Sequence, residues 1–101
     1  MITAIVEHFL TKEGQQYFPE WITHVKNLLE KNPAFVSISK VAVISVVDKQ
    51  TIETHRSVLE LKFSALDALK IWVATEEHKQ ILELLNIYTL KSRKTIIYGD
   101  N

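Results

Sequence analysis

Four histidines and no cysteine set the chemistry open to this chain. Without thiols there can be no disulfides, thiolate metal sites or cysteine nucleophiles. His8, His24, His55 and His78 are nowhere spaced as H-x-H or as i, i+4, so a metal site would have to assemble across separate elements, and none is expected. A lone imidazole can still accept a proton near pH 7, provided that burial or a helix N-terminus keeps it neutral. His8 and His78 stand where that is expected. His8 falls in the alternating set Ile2, Ala4, Val6, Leu10, and His78 follows Thr75-Glu76-Glu77 on the apolar side of a helix start. Both are candidate catalytic proton acceptors, with a purely structural, hydrogen-bonded role as the alternative for each. Trp72, with a flat indole face and one donor, is either a substrate-binding pocket wall or core. His24, three residues after Trp21, is expected at the semi-exposed edge of a helix stripe. Arg56 is expected to pair with Glu60 or to meet an anionic ligand.

The elements that must position these groups are legible from periodicity. Ile2 to Leu10 alternates with the period of a strand. After Thr11-Lys12-Glu13-Gly14, the residues Phe18, Trp21, Ile22, Val25, Leu28 and Leu29 draw one apolar stripe on a helix, with Pro19 placed in its first turn and Asn32-Pro33 stopping it. Phe35 to Val47 reads as a long strand bent near Ser39-Lys40. Asp48 to Thr51 reads as a turn, and Thr54 to Phe63 as the return strand of a hairpin. Ser64 is expected to cap a helix carrying Ala65, Leu66, Leu69, Trp72 and Val73, with Asp67 at its third position. Thr75 is expected to cap a second start. On one unbroken helix, residues six apart would lie about 120° apart, so a break at Ala74-Thr75 is what lets Trp72 and His78 converge. Leu90 to Tyr98 closes the chain as a last strand.

The order β-α-β-β-α-(α)-β, under the right-handed crossover rule, predicts an α+β, ferredoxin-like fold: one antiparallel four-stranded sheet with the main helices on one face. Both alternating sets of the first strands carry Ile, Val or Phe, each worth about 1.5–3 kcal/mol when buried. The uncovered face therefore predicts a homodimer through the open sheet.

Composition excludes several function classes. At 101 residues the chain has room for a single domain, 1–101. Twelve basic and twelve acidic residues cancel without forming a patch, so neither nucleic acid nor a membrane surface is an expected partner. Val41 to Val47, the longest apolar run, is about a third of the ~20 residues that a membrane span needs. Met1 to His8 lacks a basic start and meets Glu7 early, so it does not read as a signal peptide, and a cytoplasmic location is expected. With glycine only at positions 14 and 99, no phosphate-cradling loop can be written.

Several positions resemble recurring ones of the antibiotic biosynthesis monooxygenase family, dimeric α+β barrel proteins. Gly14 with Phe18 and Trp21 resembles its first loop and helix, and Pro33-Ala34-Phe35 its Pro-Gly-Phe entry to the second strand, with Ala34 in the glycine's place. Phe63-Ser64 resembles the opening of its second helix, and Trp72 with Glu77-His78 its Trp and Glu-His pairing. The resemblance implies a pocket between sheet and helices that binds a small aromatic, hydroquinone or polyketide-type molecule. It also implies oxidation by molecular oxygen with no cofactor, neither metal nor flavin, or else a non-catalytic binding or stress-response module of the same fold. In the haem-degrading branch an Asn stands where His8 does and the haem-ligating His where Leu82 does, so haem degradation is not implied, while haem binding through His78 stays open as a third reading.

Overall fold

Strand β1 (Ile2–Leu10) lies at the centre of a four-stranded antiparallel sheet, flanked by β3 (Arg56–Phe63) and by β4 (Thr89–Gly99), with β2 (Phe35–Val41) on the far side of β3. The computed structural model describes residues 1–41 and 56–99. Helix α1 (Lys12–Leu29) connects β1 to β2, while α2 (Leu66–Val73) and α3 (Glu76–Asn86) connect β3 to β4. The sheet order β2-β3-β1-β4 is the ferredoxin-like arrangement that the element order predicts.

The register decides which side chains share a face. Ala4 pairs with Leu61 and Ile97, Val6 with Leu59 and Thr95, and His8 with Ser57. With the side-chain period of two, this set faces one way, and Thr3, Ile5 and Glu7 face the other. The helices cover the first face: Phe18, Trp21 and Leu29 from α1, Leu69 and Trp72 from α2, and Ile81 and Leu85 from α3 are buried against it.

Three local starts differ from expectation. Thr11 caps α1 by accepting a hydrogen bond from the Gly14 amide at 3.1 Å, so the helix begins at Lys12 and Pro19 falls inside it rather than in its first turn. Pro19 lies on the exposed side of α1, so the hydrogen bond its missing amide forgoes is not lost in the core. Ser64 does not cap α2. Its amide is bonded to the Ala34 carbonyl at 2.8 Å, which keeps the chain extended through Ala65, and Ala65 becomes a cap without a side-chain bond. The register shift in β2 falls between Phe35 and Ser37, not at Ser39-Lys40, whose pairing with Glu60 and Leu59 is regular. Residues 42–55, including the expected turn and His55, lie outside the described residues.

Gly14 is required by a close approach. A Cβ there would lie 2.5 Å from Cβ of Tyr88, so α1 can pack against Tyr88, in the turn before β4, only without a side chain at this position. Among the described residues no helix is long and apolar enough to cross a membrane.

Candidate active site

A cavity of about 380 Å³ lies between the helix-covered face of the sheet and the three helices, and His8, Trp72 and His78 all line it. Its walls are largely aliphatic, with Leu59, Leu61, Leu69 and Ile81 among them, and the half-exposed Val73 and Ile97 mark its open side.

One hydroxyl brings two of these residues together. Thr75 Oγ1 donates to the Trp72 carbonyl at 2.7 Å and accepts from the His78 amide at 3.2 Å, so it closes the end of α2 and caps the start of α3 at once. The resulting change of direction sets the Trp72 and His78 rings edge to face, with centroids 5.5 Å apart and planes at 76°. Glu76 and Glu77 occupy the first turn of α3, where the helix dipole favours negative charge.

His8 forms the deep end. It is 2 % exposed, lies edge-on to Trp21 with centroids 5.3 Å apart, and is 5.5 Å from Phe18. Among the described residues neither ring nitrogen has a hydrogen-bond partner, in contrast to the bonded state expected of a buried histidine with a structural role. Burial first, and the nearby Arg93 charge second, lower its pKa to about 4, so the ring is neutral at pH 7. His78 is only partly buried. Its pKa is also lowered, by burial and then by Arg93, while the Val73 carbonyl, which favours a donating imidazolium, opposes the shift.

Trp21 does more than fill the core. Its indole N–H donates to the Ile81 carbonyl at 2.6 Å, tying α1 to α3, and its ring stacks on Phe18 with centroids 5.7 Å apart. Sequence reasoning missed Arg93, which reaches the cavity from β4 and is held by Asn86 Oδ1 at 3.0 Å. The available signal was strand alternation: Arg93, Thr95 and Ile97 follow one another on one side of β4, and Thr95 and Ile97 pair with Val6 and Ala4, neighbours of His8 on its own face.

The remaining candidates lie elsewhere. His24 is exposed and does not line the cavity. Arg56 sits on the opposite face, 3.7 Å from Glu7 across the strands, and Glu60 lies 3.6 Å from Lys62.

No protein-family profile matches the sequence, and no curated protein matches it. Its fold, by contrast, is shared along almost its whole length with solved structures, several of which carry one family name. A protein from Nitrosomonas europaea provisionally named an antibiotic biosynthesis monooxygenase superposes with a TM-score of 0.75 at 16% identity, over 99% of this chain and 98% of that one. A similarly named protein from Bordetella bronchiseptica gives 0.78 at 9% identity, over 99% and 96%. A third, described as a dimeric protein of unknown function and ferredoxin-like fold from Bacteroides fragilis, gives 0.73 at 19% identity, over 98% and 95%. The chain therefore has the fold of the antibiotic biosynthesis monooxygenases.

Proposed function

We propose that the cavity binds a flat, hydroxyl-bearing aromatic molecule and that the protein oxidises it with molecular oxygen, without a cofactor. The observation that supports this best is the placement of His8, Trp72 and His78 around one largely apolar cavity. An electron-rich phenol, once deprotonated, can itself reduce oxygen, so the protein's tasks are to take the proton, orient the ring and keep water out. In a phenol whose fused rings include a CH₂, conversion of that CH₂ to a ketone consumes one O₂ and releases one water, the two C–H bonds supplying the electrons. A simple hydroquinone instead passes two electrons and two protons to O₂, giving the quinone and hydrogen peroxide. His78 is the proton acceptor, because it is neutral near pH 7 and lies toward the open side. His8 is the weaker base and closes the deep end. Trp72 is the wall against which the substrate ring lies.

The low basicity of His8 also favours a second reading, a module that binds such a molecule without turning it over. Oxygen uptake separates the two. With a hydroquinone-type phenol and no added metal or flavin, an oxygenase consumes oxygen and loses that activity in His78→Ala. A binding module shows saturable stabilisation and no uptake.

The sheet face away from the helices is the proposed site of pairing with a second copy. It carries Ile96 and Tyr98, exposed by 56% and 55%, on a strand face shared with Ile5. The Bacteroides structure, described as dimeric, is consistent with such pairing.

A further inference from the structure

Among the described residues, Arg93 is the one cation lining the cavity, and no acidic residue lines it. Its Nη2 is held by a neutral amide, Asn86 Oδ1, at 3.0 Å, and its Nε is buried without a partner among the described residues. The ion pairs Arg56–Glu7 and Lys62–Glu60 are formed by residues on the other face of the sheet. Arg93 is only partly buried and its Nη2 end is exposed, but its Nε is shut off from water beside aliphatic walls, and among the described residues the protein places no opposite charge there. Along β4 the cavity lining grades from charged to apolar: Arg93 is followed on the same side by Thr95 and then by the half-exposed Ile97.

We infer that the cavity is built for an anion: a flat apolar molecule carrying one carboxylate, seated on Arg93 with its rings between Trp72 and the aliphatic walls. The inference rests on the cavity being a ligand site, as proposed above, and narrows its substrate class. A carboxylate can accept from the free Nε and a neighbouring guanidinium nitrogen together, the paired geometry in which arginine binds such groups most strongly. The two histidines contribute no competing negative charge. Cationic ligands are repelled, and neutral ones leave the guanidinium uncompensated.

Two nearly isosteric probes test this, 2-naphthoate and 2-naphthamide, titrated by calorimetry into the full chain. The naphthoate should bind about tenfold more tightly, and Arg93→Gln should bring the two together while Arg93→Lys keeps part of the preference. On the unaltered protein, which needs no variant to fold, naphthoate affinity should fall as sodium chloride is raised. The bound anion should also raise the pKa of His78, read from its imidazole NMR signals, and the amide should not. Equal affinity for the two probes, or an unchanged ratio in Arg93→Gln, overturns the anion assignment and leaves the cavity as a ligand site. Absence of binding by both up to millimolar concentration contradicts the assignment and the proposed function together.

Discussion

Trp72 and His78 meet edge to face, 5.5 Å between ring centroids, across a break that the Thr75 hydroxyl spans by bonding to one helix end and capping the next. Two residues that would point apart on one continuous helix thus reach the same cavity.

Removing that hydroxyl should loosen both ends. Thr75→Val is expected to cost about 1–2 kcal/mol in urea unfolding, the range for a lost N-cap, and to weaken ligand binding in addition, while Thr75→Ser should retain both properties. Equal stability of Thr75→Val and the parent would separate the break from the cap.

His8 predicts an acid limb in stability. Its folded pKa, about 4, is below the ordinary 6.5, so the unfolded chain takes up a proton over that interval and the folded one does not. Stability is then complete above pH 6.5 and falls as pH drops toward 4, by about 3 kcal/mol from this residue alone. Chemical denaturation at stepped pH should show a shallower limb in His8→Phe.

Much of this framework is legible in the sequence, and the reasons are local. Ile2 to Leu10 announces its strand because every second residue except His8 is apolar on the covered face, and Thr75 announces a helix start because a hydroxyl precedes two acids. The misplacements share a cause: a local signal was overruled by a partner distant in sequence. Ser64 is a good cap residue, yet its amide is already committed to Ala34. Arg93 stands on an edge strand, and it becomes a cavity group through its place in the alternation of β4 and its bond to Asn86 of α3.

Gly14 illustrates the same dependence on tertiary contact. In an exposed helix Gly→Ala would add about 1 kcal/mol of stability, but here the added Cβ would lie 2.5 Å from Tyr88 Cβ and 3.0 Å from Leu10 Cβ. Gly14→Ala should therefore be net destabilising by about 1–3 kcal/mol in thermal or urea unfolding.

The pH dependence of turnover should identify the proton acceptor. Since burial and Arg93 lower the pKa of His78, kcat/KM should rise with pH along a limb whose midpoint lies below 6.5. That limb should be lost in His78→Gln and move upward in Arg93→Gln, where one of the charges opposing protonation is gone.

A second copy on the open sheet face is testable without any ligand. Analytical ultracentrifugation should give a dimer at micromolar concentration, and Ile96→Lys, on the exposed face of β4, should shift it toward monomer.

The proposed site stands or falls with where a phenolic ligand sits. Titration of a hydroquinone-type phenol under anaerobic conditions, followed by imidazole NMR, should shift the His78 ring signals saturably at one ligand per chain. The exposed His24, which does not line the cavity, should stay unmoved. Unchanged His78 signals throughout the titration, or His24 and His78 shifting together without saturation, would contradict it.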